Sequence, residues 1–204
     1  MSRRILALIA VLALALAILT GLAVRKGVLG APQQSAAVGG PFQLVDTSGR
    51  TVDQRVLKGK WSVVFFGFTH CPDICPTTLA ELAKAQQQWS ALPDSTRPRV
   101  LFVSVDPDRD TPDRIGEYAH AFHRDTLAAT ADIPALEAFA KSLSLVFMKV
   151  PAAEGAPADQ YSIDHSAALA VLDPKGRMAG IVQPPLVPQD IAHDLLALTQ
   201  PAGR

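Results

Sequence analysis

The sequence predicts an α/β domain, a central mixed sheet flanked by helices on both faces, behind an N-terminal transmembrane helix. Three observations predict it. Continuous apolar, β-rich runs at residues 61–68 and 100–105 alternate with segments of helical spacing. Two short strand patterns, 167–172 and 178–182, flank the turn Asp173-Pro174-Lys175-Gly176 and form a hairpin, which must be antiparallel, so the sheet is mixed. Residues 5–24 contain no charge and are almost entirely Ala, Leu, Ile and Val.

That first run spans roughly 30 Å as a helix, the thickness of one bilayer core. Arg3 and Arg4 precede it, and Arg25 and Lys26 follow it. Its apolar character all the way round argues against a buried core helix. A cleaved signal peptide is the rival reading, since Gly21-Leu22-Ala23 resembles a small-x-small cleavage site, but signal peptides have shorter apolar regions. The expected organisation is an anchor with a short cytoplasmic tail at 1–26, a Gly-, Ala-, Gln- and Pro-containing linker at 27–41, and one domain at 42–200. The expected location is the inner membrane of a bacterium, single-pass, with the soluble domain on the periplasmic side.

Within the domain, residues 42–45 and the turn 47–50 suggest a leading hairpin, and 61–68 a strand buried on both faces. A helix follows from Pro76 to about Trp89, with Leu79, Leu82 and Ala83 at helical spacing. The second buried strand is 100–105. Thr111-Pro112 opens a helix to about Phe122, and 133–143 is a second one with Leu136, Phe139, Ala140 and Leu143 on one face. Residues 146–150 form a strand, and after the hairpin a helix at 187–198 closes the domain.

Formal net charge is zero and no basic stripe occurs, which removes the electrostatic case for nucleic-acid binding. The only two cysteines, Cys71 and Cys75, cannot build a disulfide framework. They sit in Phe66-Gly-Phe-Thr-His-Cys71-Pro-Asp-Ile-Cys75-Pro76, where a buried strand ends and a helix begins. Helical N–H groups and the helix dipole stabilise a thiolate there. A strand, then cysteines, then a helix is the start of a thioredoxin-like domain. Three residues separate the cysteines, where thioredoxin-type exchange uses two. Residues four apart share a helix face, so the pair can hold one ion; the loop can also adjust to a disulfide. The spacing permits both uses.

A third ligand is offered by His165, in the turn 161–166 ahead of the strand 167–172. In a thioredoxin-like fold that turn faces the cysteine loop. Two thiolates and an imidazole suit Cu(I) and also hold Cu(II), whereas structural zinc normally takes four protein ligands. His70 adjoins Cys71 but is expected to point away from it. His120 and His123 are read as a solvated helix face, and His193 as surface. Asp106-Pro-Asp108-Arg109-Asp110-Thr-Pro112 is read as a turn and helix start, with Asp110 or Thr111 as cap, on the rim of the site.

These segments together resemble the Sco (SenC) family of cytochrome c oxidase assembly proteins. The resemblance rests on Gly67 through Thr78, Val103 through Pro112, and Asp164-His165-Ser166 ahead of Asp173-Pro-Lys-Gly176. It implies copper bound by Cys71, Cys75 and His165, and delivery of copper or reducing equivalents to the dinuclear copper centre of an oxidase subunit. The partners so implied are that copper-receiving subunit, an upstream copper donor and a thioredoxin-like reductant. The expected activity is that of a metallochaperone rather than an enzyme. The alternative is a thiol–disulfide oxidoreductase, with Cys71 and Cys75 as its redox-active pair, that reduces the cysteine ligands of the oxidase copper site. Related thioredoxin-like reductases usually carry a proline in the turn near His165; its absence here favours metal handling.

Overall fold

The computed structural model describes residues 42–157 and 159–199. The predicted anchor and linker lie outside the described residues. Among the described residues, no helix is long and apolar enough to cross a membrane.

In chain order the elements are β1 (Gln43–Asp46), β2 (Thr51–Asp53), β3 (Ser62–Gly67), α1 (Ile74–Trp89), β4 (Arg99–Ser104), α2 (Pro112–Phe122), β5 (Leu127–Thr130), α3 (Ile133–Ser142), β6 (Phe147–Val150), β7 (Ser162–His165), β8 (Leu169–Leu172), β9 (Met178–Val182) and α4 (Pro188–Thr199). Seven strands form one sheet in the order β2-β1-β5-β4-β3-β8-β9, and β6 and β7 pair separately. β3, β4 and β5 run parallel. β8 joins β3 antiparallel, and β9 joins β8 as the predicted hairpin. The sheet is therefore mixed, with the thioredoxin-like arrangement expected.

β3 lies near the middle, and every residue of Ser-Val-Val-Phe-Phe-Gly is buried. Alternation sends its side chains to opposite faces. Phe65 meets its register partner Phe102, which in turn packs on Tyr118 of α2. Phe66 meets Phe139 of α3, which stacks at 4.2 Å on Phe42. Helices thus cover both faces, which is why the strand reads as an unbroken apolar run. α1 buries Cys75, Leu79, Leu82 and Trp89.

The starts of α2 and α3 follow capping rules. Thr111 Oγ1 accepts the Arg114 N–H and Asp132 accepts the Ala135 N–H, each with a proline in the first turn. Two strands differ from the expectation. Leu127-Ala-Ala-Thr has weak strand propensity of its own and becomes β5 because β4 and β1 pair with it on either side. Residues 162–165, read as part of a turn, are extended as β7, with Phe147 opposite His165.

Candidate metal and redox site

The site forms where β3 runs into α1. After Gly67 the chain leaves the sheet and Cys71 turns back, its N–H donating to the Phe68 carbonyl at 3.2 Å. α1 begins at Ile74, two residues earlier than expected, so Cys75 stands in the first helical turn. Pro76 still fits there, because first-turn N–H groups have no helical partner. One such N–H, that of Cys75, donates to Cys71 Sγ at 3.4 Å. Both thiols are free, Cys71 nearly buried and Cys75 fully so.

His165, at the end of β7, points its Nε2 at Cys75 Sγ, 3.2 Å away. Its Nδ1 lies 3.2 Å from the Ser166 carbonyl. That carbonyl can only accept, which assigns the proton to Nδ1 and leaves the Nε2 lone pair facing the thiol. Phe65 and Phe68 pack edge-on against the ring, with centroids 5.9 and 6.0 Å away. The ligand atoms of Cys71, Cys75 and His165 all lie within 4.8 Å of one another, close enough to hold one metal ion. The three residues singled out in the sequence therefore converge.

Burial sets the protonation state. It pushes the Cys75 thiol well above its ordinary range, with the hydrogen bond to Cys71 and the negative charge of Asp110 adding to the rise. Burial likewise pulls the His165 imidazole below its ordinary value, partly opposed by the Ser166 carbonyl and by Asp164. Without metal and at neutral pH, the pair is a neutral thiol against a neutral imidazole.

Gly67 creates the space for this thiol. A Cβ there would lie 2.9 Å from Cys75 Sγ, 3.0 Å from Phe102 Cε2 and 3.2 Å from Phe65 Cε1. Glycine at the end of an otherwise bulky strand is the signal that sequence reading passed over.

The acidic loop after β4 does more than turn. Thr111 is the cap, as one of the two options had it, but Asp110 is not. Asp110 is buried beside the cysteine loop and accepts from the Thr69 N–H at 2.9 Å, from the Thr69 hydroxyl, and from the Ser104 hydroxyl at 2.6 Å. Asp106 is also buried and accepts from Arg109 Nε at 2.6 Å and from the Tyr161 hydroxyl. Arg109 lies 3.7 Å from the Tyr161 ring centroid and donates to the Asp159 and Tyr161 carbonyls, both at 3.1 Å. This network ties the loop to the chain entering β7, and so to His165.

His70 is exposed, with Thr69 Oγ1 and Arg114 near its ring nitrogens, rather than pointing at the thiols. With Asp106 and Asp110 it could form a second ligand group, but those carboxylates already hold the donors just named. His120 is exposed, and His123 Nδ1 accepts the Asp125 N–H.

Comparison with known proteins agrees with this geometry. Residues 30–200 match the SCO1/SenC family model. The chain is 36% identical over 142 residues to the mitochondrial protein SCO1 homolog 1 of Arabidopsis thaliana, covering 69% of this chain and 40% of that protein. It is 38% identical over 146 residues to mitochondrial SCO2 of Saccharomyces cerevisiae, covering 70% and 46%. The chain thus spans less than half the length of these two relatives. The structure of ScoI from Bradyrhizobium japonicum, with copper bound, superposes with a TM-score of 0.68 at 34% identity, covering 78% of this chain and 98% of that one. The chain belongs to the SCO1/SenC family.

Proposed function

We propose that this protein is a membrane-tethered copper chaperone that helps assemble the copper centre of cytochrome c oxidase. One observation carries the reading: two thiols and an imidazole nitrogen lie within 4.8 Å of one another, with the Nε2 lone pair directed at Cys75 Sγ at 3.2 Å. Cys71 and Cys75 would bind copper as thiolates and His165 as neutral imidazole, a soft set suited to Cu(I) and able to hold Cu(II). Copper bound to the ScoI structure supports the choice of metal. Residues 1–26 would anchor the chain in the inner membrane of a bacterium, and 27–41 would tether a domain at 42–200 on the periplasmic side. Ile74, between the two cysteines, is 38% exposed and Val146, beside Ser166, is 72% exposed. These apolar groups offer the copper-receiving oxidase subunit a place to dock beside the ligands. An upstream copper donor and a thioredoxin-like reductant complete the proposed partners.

A second reading is supported by the free, closely spaced thiols at a helix start: a thiol–disulfide oxidoreductase acting on the oxidase's cysteines. The two readings part at His165, which disulfide exchange does not need. In a copper competition titration of reduced protein, His165→Ala should lose at least about 100-fold in affinity, more than loss of an outer partner such as Asp164 would cost. Equal affinity would remove His165 from the ligand set and leave the oxidoreductase reading ahead.

A further inference from the structure

Two carboxylates are buried beside the cysteine loop, and they differ in what balances their charge. Asp106 is paired with Arg109, whose Nε lies 2.6 Å away. Asp110 pairs with no lysine or arginine among the described residues; its one ion-pair candidate there is His70, with Nδ1 at 3.8 Å from Oδ1. His70 carries no charge to offer. Arg114 Nη2 lies 3.2 Å from His70 Nε2, and a guanidinium only donates, so Nε2 accepts and the ring is neutral with its proton on Nδ1. That proton faces Thr69 Oγ1 at 3.3 Å, and the Thr69 hydroxyl in turn donates to Asp110. With the Thr69 N–H and the Ser104 hydroxyl, Asp110 receives three hydrogen bonds on its two oxygens and gives none, the set that holds a carboxylate rather than a carboxylic acid.

A buried charge is ordinarily paired or set near a metal ion. Asp110 has hydrogen bonds but no cation, and its field reaches the Cys75 thiol. Asp73 and Asp164, the other acids beside the ligands, are exposed, where water and salt screen them. The charge count gives the consequence. Starting from two neutral thiols, a ligand set holding Cu(II) on two thiolates has no net charge, and one holding Cu(I) has one negative charge. A fixed negative charge alongside opposes the second and leaves the first untouched. Thiolates by themselves favour Cu(I), so Asp110 is a counterweight to its own site.

We propose that the buried, cation-free Asp110 carboxylate sets the oxidation-state preference of the site, shifting it from Cu(I) toward Cu(II). The inference rests on the copper reading above.

The test is Asp110→Asn in the full chain in mild detergent, reduced and titrated against one chelator selective for Cu(I) and one selective for Cu(II). Asparagine keeps the size and an acceptor oxygen and removes the charge. Cu(I) affinity should rise about tenfold, the effect of a unit charge at about 10 Å in an effective dielectric constant of about 20, while Cu(II) affinity stays unchanged. The potential of the bound copper then rises by about 59 mV, the one-electron equivalent of tenfold. The Cys71–Cys75 disulfide potential should stay where it is, because dithiol and disulfide are both uncharged, whereas a cysteine loop displaced by the substitution would move it. Asp110→Ser, neutral and small enough to leave room for a bridging water, carries the same expectation if the asparagine variant fails to fold. An unchanged ratio of the two affinities, a fall in both together, or a disulfide potential that shifts as far as the copper potential would each overturn the proposal. Wild-type protein that binds neither ion would remove the copper reading, and this inference with it.

Discussion

Replacing Gly67 by alanine tests whether room for the Cys75 sulfur is what this position supplies. The added methyl would sit 2.9 Å from Sγ and 3.0 Å from Phe102 Cε2, against ordinary carbon contacts of about 3.5–4.0 Å. Phe102 is fully buried and cannot swing away, so the cysteine side chain must give by several tenths of an ångström or more. Overpacking of this kind costs about 1–3 kcal/mol. Lower chain entropy in the unfolded state returns about 0.4–1 kcal/mol. The net loss is about 0–2.6 kcal/mol, centred near about 1.3, or a fall in melting temperature of up to roughly 10 °C for a domain of this size. The sulfur that moves is the one facing His165, so copper affinity should fall together with stability. The measurements are thermal unfolding and a copper competition titration on reduced Gly67→Ala and wild type. Wild-type values in both would refute the reasoning, because the crowding would then have been absorbed without moving the sulfur.

Copper affinity should fall in acid, since two thiols and one imidazole must be proton-free to bind; a titration flat between about pH 5 and 8 would argue against these ligands. Stability without metal should show two flanks. His165 resists protonation when folded, so stability is full above its ordinary value of 6.5 and declines as pH falls below it. Cys75 keeps its proton when folded, so stability is full below its ordinary value of 9.0 and declines as pH rises past it; Cys75→Ser should remove much of the alkaline decline in denaturant midpoints. Tyr161→Phe strips the hydroxyl from buried Asp106 and should cost about 1–3 kcal/mol in urea unfolding, whereas an unchanged midpoint would mean that Arg109 alone satisfies that carboxylate. Oxidation should join Cys71 to Cys75 and abolish copper binding until reductant is added; two free thiols after strong oxidation, with no intermolecular linkage, would rule the switch out.

What was legible in the sequence is what the core dictates. β3 and β4 are buried on both faces, so their apolar runs could not be mistaken, and the thiols follow from the strand's end. The hairpin β8–β9 was legible from Asp173-Pro-Lys-Gly176, where Gly176 takes a positive φ of 74° and Asp173 accepts the Lys175 and Arg177 N–H groups. β5 was missed because Leu127-Ala-Ala-Thr is held as a strand by its neighbours rather than by its own propensity. β7 was missed because Ser-Ile-Asp-His carries one buried apolar residue and pairs only with β6. The roles of Asp106 and Asp110 were illegible for a different reason. An Asp-rich segment beside prolines reads locally as a turn, and the partners that bury it, Thr69 and Tyr161, stand 41 and 55 residues away.

The two halves of the site are therefore held by different physics. Cys75 sits in the first turn of a helix packed into the core, and Cys71 in the short buried loop that joins that helix to β3. His165 sits on a two-stranded ribbon, a unit with little stability of its own. Its position is secured by Arg109 and Lys149 against the Tyr161 ring, by Asp106 accepting the Tyr161 hydroxyl, and by Phe65 and Phe68 packed edge-on against the imidazole. Lys149 is half exposed, and it pairs with Asp108, which is more exposed still. Such contacts are worth less than core packing and weaken in salt. Local opening is accordingly expected to begin at the ribbon, with amide hydrogen exchange faster at residues 162–165 than in the helix that carries Cys75. On the chaperone function proposed above, His165 would be the ligand easier to displace and Cys71 and Cys75 the pair that would keep hold of the ion.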